Sequence, residues 1–379
     1  MMDSLMGRLL IDVTDFIGNP IRRGIQRVIR ELLKHWPDEV EKQVVRFDAR
    51  VGGFLTVHDD LVRVLIDSAE DEVFDIDRLR RKSDAFLSLD QSTPIDIGPN
   101  DRVLLGEMFV NLARSRYYHS ISQRGVQVAA IVYDFLPWTQ PTECNVVYVG
   151  GFNDYLTVLD LASRRCHIAQ AVSDDYVKRF IRRESSAETV ITLGADALGV
   201  RAADTVVKSQ LVCLGGLDGR KGQDRVYQAY LACPASERIP LIFAGRIPDR
   251  PRDVMLPLLN TNCPTVSIVD DPDDNQLADL IASSRGAFFP SQFEGFGLPA
   301  LESLYLGTPV VVDASLPAIS GLPAAGQIRL ETADEEEMIR AIMRMSSQTD
   351  AQSLREEVST LRLPTWAGYA QQVASWAVA

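Results

Sequence analysis

The chain has 379 residues, 46% hydrophobic and 24% charged, with 39 Lys plus Arg against 52 Asp plus Glu, for a net charge of −13. That length exceeds one small fold and suits two ordinary domains, and the composition excludes a disordered or collagen-like chain. The acidic balance argues against nucleic acid as a partner, so an anionic ligand has to meet a local basic site.

Met1–Arg8 lacks the basic-then-apolar order of a signal peptide, and no apolar run approaches the ~20 residues that cross a bilayer. A cytoplasmic protein is expected, with any membrane contact peripheral. The first strand is expected at Leu9–Val13. A helix over Ile21–Trp36 follows, with Ile21, Ile25, Val28, Ile29, Leu32, Leu33 and Trp36 in one stripe and Arg22, Arg23, Arg27, Arg30 and Lys34 against Glu31. Two readings of this basic helix stay open: an ordinary first helix lying on a sheet, or peripheral contact with anionic lipid or a lipid-diphosphate acceptor.

Strands are then expected at Val44–Phe47, Arg102–Leu105, Val126–Val132, His167–Val172 and Val190–Thr192, while Gly52–Asn100 is acidic, irregular and weakly periodic and is expected to hold helices or a mobile loop at the mouth of the first unit. The stretch Gly194–Val200 looks like a loop leaving a first unit, and the boundary is set near 200. A second set of strands follows at Gln210–Leu214, Leu241–Ala244, Thr265–Ile268, Gly286–Phe289 and Pro309–Val312. Helices intervene at Gln223–Cys233, Asn275–Ser283 and Leu298–Leu306. A last helix, Thr365–Val378, comes after Pro364 and puts Trp366, Tyr369, Val373 and Trp376 on one face. Short apolar runs alternating with helical patterns predict an α/β chain of two Rossmann-like units, 1–200 and 201–364.

The five cysteines, Cys144, Cys166, Cys213, Cys233 and Cys263, form no Cys-x-x-Cys pair and suit a reducing compartment. His35, His58, His119 and His167 lack metal-ligand spacing. Asp75-Ile76-Asp77 and Asp271-Pro272-Asp273 read as solvated loops rather than a metal site, so no metal and no cofactor is expected.

The run Phe289-Pro290-Ser291-Gln292-Phe293-Glu294-Gly295-Phe296-Gly297-Leu298-Pro299-Ala300-Leu301-Glu302 carries the strongest signal. A buried strand ends, a glycine loop follows, and Pro299 lies in the first turn of a helix, so free N–H groups and the positive helix end face one spot. Such a place suits a phosphate, and Glu294 and Glu302 suit two sets of sugar hydroxyls. Taken alone, a Gly-x-Gly loop reads equally well as a tight turn. In Leu214-Gly215-Gly216-Leu217-Asp218-Gly219-Arg220-Lys221-Gly222, two basic residues follow another strand-to-helix loop.

The first string, continued by Gly307-Thr308-Pro309-Val310, resembles the Glu-x7-Glu element of the family 4 (group 1) retaining glycosyltransferases. The second resembles that family's loop for the donor diphosphate, with Gly216 where many members have Arg. Ala129–Pro141 is similar to a family segment in which His-Asp follows a strand; here it reads Tyr133-Asp134, and Asp134 suits either a polar contact to sugar or acceptor or a capping or turn role. Ser173-Asp174 is similar to a strand-end Ser-Glu element, and Ser173 reads equally well as a helix cap. Gly24-Ile25-Gln26-Arg27-Val28 resembles an acceptor-side segment of polysaccharide-assembly members.

The resemblance implies the GT-B fold, two Rossmann-like domains facing each other across a cleft, with helix 365–379 returning to the first domain. It implies a retaining, metal-independent hexosyltransferase that takes a nucleotide diphosphate sugar, with GDP-mannose the guess from resemblance to bacterial O-antigen and exopolysaccharide transferases. The acceptor is then a glycan or a lipid-diphosphate-linked glycan in surface polysaccharide or O-antigen assembly. Glu294, Lys221, Arg220 and Asp134 are the implied catalytic residues. Gly295, Phe296, Gly297, Leu298, Glu302 and Gly216 bind the donor, and Gly24, Arg27 and Tyr133 lie on the acceptor side. Two rival readings remain: a non-catalytic scaffold that keeps the donor fold, and an epimerase or phosphorylase on the same architecture.

Overall fold

The computed structural model describes residues 7–20, 24–67, 81, 93–180, 187–200, 206–207, 209–249 and 252–379. The chain divides into two units, Met1–Gly194 with Thr365–Ala379, and Ala195–Pro364.

In the first unit the strands are β1 (Leu9–Asp12), β2 (Gln43–Asp48), β3 (Gly53–Thr56), β4 (Arg102–Leu105), β5 (Gln127–Val132), β6 (Arg164–His167) and β7 (Glu188–Val190). They form one sheet in the order β3-β2-β1-β4-β5-β6-β7. Every pairing is parallel except the β2–β3 hairpin at one edge. Leu9–Asp12 and Val128–Val132 are buried without alternation, as a parallel sheet covered on both faces demands.

The strand and cap expectations for 167–173 change here. His167–Val172 is not a strand, because β6 ends at His167 and Gln170–Phe180 is a helix burying Val172 and Tyr176 four residues apart. Ser173 lies buried inside that helix, neither at a strand end nor at a cap. The 52–100 segment holds the helix Asp59–Asp67, as expected, and also the strand β3, which was not.

The basic helix follows the first of its two readings. Its described core, Ile25–Lys34, buries Arg27, Arg30 and Glu31 together with Val28, Ile29, Leu32 and Leu33. Arg30 Nη2 sits 3.0 Å from Glu31 Oε1, and the helices Asp59–Asp67 and Trp366–Val378 pack against the same helix. The described core of this helix thus lies on its own unit, as an ordinary first helix does, with Lys34 exposed. Ile21, Arg22 and Arg23 lie outside the described residues. Among the described residues no helix is long and apolar enough to cross a membrane.

The helix Trp366–Val378 belongs to this first unit and buries Trp366, Tyr369, Ala370, Val373, Ala374 and Ala377. Thr365 Oγ1 caps it, accepting from Gly368 N at 3.2 Å. Gly194 permits the close approach, since a Cβ there would collide with the backbone of Thr365 and Trp366.

The second unit contains β8 (Leu211–Leu214), β9 (Leu241–Ala244), β10 (Val266–Val269), β11 (Gly286–Phe289), β12 (Val310–Asp313) and β13 (Gln327–Leu330). The order is β10-β9-β8-β11-β12-β13 and every pairing is parallel. Cys213, Val226, Tyr230, Phe243, Phe288, Val311 and Ile342 belong to its apolar core. Strand order reverses between β8 and β11, and in such sheets the crevice at the carboxyl ends of the two reversing strands is where ligands bind.

Candidate functional site

The two glycine loops singled out in the sequence leave β8 and β11, the strands that flank this reversal. Lys221, from the β8 loop, is ion-paired with Glu294 of the β11 loop, and its ammonium lies 5.3 Å over the Phe289 ring. Arg220 Nη1 is 3.6 Å from the same Glu294 Oε1 and also donates to the Phe293 carbonyl. Ser291 Oγ donates to Glu294 Oε1 at 2.7 Å. Burial by itself would raise the Glu294 carboxyl, but the charges of Lys221 and Arg220 and the bonds from Lys221 and Ser291 outweigh it and hold the pKa below the ordinary value. The site therefore carries two cations and one ionised carboxylate, all nearly buried.

Gly297 precedes the helix Leu298–Tyr305 with φ +106, which only glycine adopts without strain, and a Cβ there would stand 2.7 Å from Leu316 Cδ1. Gly295 is not among the glycines of positive φ. Among the described residues, the backbone N–H groups of Gly216, Ser291, Gly295, Phe296 and Gly297 donate to no protein group. Unoccupied N–H groups at a helix N-terminus near two cations are the elements from which anion sites are built. Glu302 lies one turn into that helix and is 1% exposed.

The first-unit residues are placed differently. Tyr133 is buried, and its hydroxyl donates to the Gly106 carbonyl at 2.6 Å. It supports the end of β4 and has no face for an acceptor, which corrects its expected role. Arg27 is likewise enclosed, at 6% exposure, and is corrected with it. Asp134 Oδ1 accepts from Leu136 N at 3.0 Å, a turn role, and the residue is only half-buried. Gly24 is exposed at φ +60 at the entrance to the helix Ile25–Lys34.

A cluster that sequence reasoning missed lies where the first sheet reverses, between β1 and β4. Arg114 donates to Asp12 at 2.9 Å, to Asp15 at 2.7 Å and to Glu107 at 3.0 Å, and Tyr118 donates to Asp12 at 2.6 Å. Glu107 also accepts from the N–H groups of Asp15 and Phe16 at 2.9 and 2.6 Å, satisfying the start of the helix Thr14–Gly18. Burial pushes Glu107 up to about 8 against the pull of Arg114, with Asp15 and Asp12 adding to the rise. Arg114 and Asp12 are 102 residues apart, so no local motif announces the cluster.

Asp273 caps the helix Asp274–Ser283 in a reciprocal box with Gln276, a structural use of its carboxylate. Asp75 and Asp77 lie outside the described residues. Among the described residues no group of three or more His, Cys, Asp or Glu is arranged to hold a metal ion.

Residues 206–359 match the family described as Glycosyl transferases group 1. The O-antigen chain mannosyltransferase B of Escherichia coli is 34% identical over 114 residues, 28% of this chain and 30% of that protein. The GDP-mannose-dependent alpha-(1-6)-phosphatidylinositol dimannoside mannosyltransferase of Mycobacterium tuberculosis is 40% identical over 103 residues, 27% of this chain and 26% of that protein. The chain aligns with only 26–39% of the length of the curated relatives it matches. Sucrose-phosphate synthase from Thermosynechococcus elongatus superposes with TM-score 0.60 at 16% identity, over 97% of this chain and 98% of that one. The likeness is one of fold, two Rossmann-like units of the GT-B type.

Proposed function

We propose that this chain, a member of the group 1 glycosyl transferases with the GT-B fold, moves a hexose from a nucleotide diphosphate sugar to a glycan hydroxyl. The donor is GDP-mannose, and the acceptor is a glycan or lipid-linked glycan of surface polysaccharide assembly in the cytoplasm. The supporting observation is the β8–β11 crevice, where Lys221 and Arg220 stand beside N–H groups that no protein group occupies. Mannosyl transfer is the activity named for the curated relatives that this chain matches in part.

In this reading Lys221 and Arg220 bind the diphosphate and stabilise the charge that grows on it as the glycosidic bond breaks. Glu294, ion-paired with Lys221 beforehand, shares that lysine with the phosphate and turns an oxygen to the sugar hydroxyls. Gly216, Gly295, Phe296, Gly297 and Leu298 contribute backbone contacts, and Glu302 accepts from the ribose hydroxyls. Asp134 and Gly24 lie on the acceptor side.

The acceptor hydroxyl attacks C1 from the face that the diphosphate leaves. The C1–O bond to phosphate breaks, the C1–O bond to the acceptor forms, and the hydroxyl proton passes to the departing phosphate oxygen. The α configuration is retained, no protein nucleophile is required, and no metal takes part. Incubating the protein with GDP-mannose and methyl α-mannoside in excess EDTA, and reading the product by NMR, tests this. An α-linked disaccharide with stoichiometric GDP is expected; free mannose, an epimer or mannose 1-phosphate as the product would refute transfer.

A further inference from the structure

The residue that follows the two glycine-rich turns of the β8 loop is Gln223, the first residue of the helix Gln223–Ala232 and 0% exposed. Its Nε2 donates to the carbonyls of Gly215 at 3.1 Å and Gly216 at 3.0 Å, with Leu214 O at 3.5 Å. Three facing carbonyls fix which end of the amide is the donor. Its Oε1 has no partner among the described residues, so the side chain is buried at the cost of an unmet acceptor.

Two residues on, Arg225 Nη2 donates to the Pro290 carbonyl of the β11 loop at 2.9 Å. Neighbours in the first turn of one helix thus grip the two loops that meet at the strand reversal.

The consequence follows from peptide geometry. In a trans peptide the N–H points opposite to the C=O of the same unit. Gln223 draws the Gly215 carbonyl toward itself, which turns the Gly216 N–H away from it. Arg225 draws the Pro290 carbonyl, which turns the Ser291 N–H away in the same manner. Gly216 and Ser291 N–H are two of the groups that donate to no protein group. The following peptide is fixed as well, because Gly216 O meets Gln223 while Leu217 N donates to Arg246 O at 2.8 Å. Gly222 permits the tight entry to the helix at φ +77; a Cβ there would stand 3.1 Å from Pro290 O.

We propose that Gln223 and Arg225 are positioning residues that hold the β8 and β11 loops with the Gly216 and Ser291 N–H groups aimed at the donor diphosphate. This rests on the donor-site reading above. Neither side chain is required to touch the nucleotide; each acts through a carbonyl.

The test is calorimetric titration of the full chain and of Gln223→Met, Arg225→Met and Arg225→Lys with GDP and GMP, UDP and UMP in parallel, well below each melting temperature. Methionine keeps volume and removes the donor. In both methionine variants the diphosphate affinity is expected to fall on the order of tenfold, the size of a lost charge-assisted or well-aimed bond. The monophosphate affinity should fall less, so the diphosphate-over-monophosphate preference narrows. Arg225→Lys, which keeps one donor toward Pro290, should recover part of the loss. A purely structural role would lower the melting temperature and leave that preference unmoved, and this result would overturn the proposal while wild-type GDP or UDP binding kept the donor reading. Failure of the wild type to bind either diphosphate would overturn both. Because Arg225 is not fully buried, its variants carry the test if Gln223→Met does not fold.

Discussion

Replacing Gly297 by Ala probes the junction of loop and helix at the proposed diphosphate site. Its φ of +106 and ψ of 47 strain any side-chain-bearing residue by about 1–2 kcal/mol. The new Cβ would also stand 2.7 Å from Leu316 Cδ1 and 3.0 Å from Cγ, and Leu316 is 1% exposed, with little room to withdraw. Displacing it adds about 1–2 kcal/mol, so the total is roughly 2–4 kcal/mol. For a domain of this size that corresponds to a fall in Tm of roughly 4–16 °C. Gly321 supplies the internal control, since φ is +86 but nothing lies within 4 Å of its Cβ. Gly321→Ala should therefore lose only the dihedral part, about 1–2 kcal/mol. Thermal melts by circular dichroism, paired with GDP titration, read both effects. If Gly297→Ala melts no lower than Gly321→Ala and binds GDP as the wild type does, the packing argument for this loop is wrong.

Glu294→Gln keeps the shape but frees Lys221 and Arg220 from a carboxylate; transfer should drop on the order of a hundredfold or more while GDP affinity holds or rises, as measured by steady-state rates and calorimetry. Glu302→Gln should instead weaken GDP binding, on the order of tenfold, through its ribose contact, and an unchanged Kd would remove that role. Glu107 gives a pH prediction. Its pKa is raised from the ordinary carboxylate range to about 8 in the folded protein, so the folded state holds the extra proton in between. Its contribution is intact below about pH 4.3 and is lost as pH rises through about 8. The Tm difference between wild type and Glu107→Gln should shrink from pH 5.5 to 8.5; a constant difference would contradict the shift.

The parallel strands were legible because a strand buried on both faces is a short unbroken apolar run, as Leu241–Ala244 and Gly286–Phe289 are. The same rule misled at His167–Val172, where one apolar run crosses from strand to helix and only the four-residue spacing of Val172 and Tyr176 marks the change. The short strand Gly53–Thr56 lay hidden behind two glycines. Candidate residues of the second unit stood in two local strings, and the strand order brings those strings together. The first unit was harder to read. Resemblance puts Tyr133 and Arg27 on the acceptor side, and both are enclosed. Asp12, Glu107 and Arg114 meet only because β1 pairs with β4. Gln223 gave no signal at all, since its function runs through carbonyl groups that no side-chain pattern encodes.

The central claim is that the β8–β11 crevice is a nucleoside diphosphate site built around Lys221. Calorimetric titration of wild type and Lys221→Ala with GDP, UDP, dTDP and ADP in EDTA addresses it directly. Saturable one-to-one binding of one of these nucleotides, weakened on the order of tenfold or more in Lys221→Ala, is the expected result. No binding of any of the four, or equal binding by the variant, would contradict it.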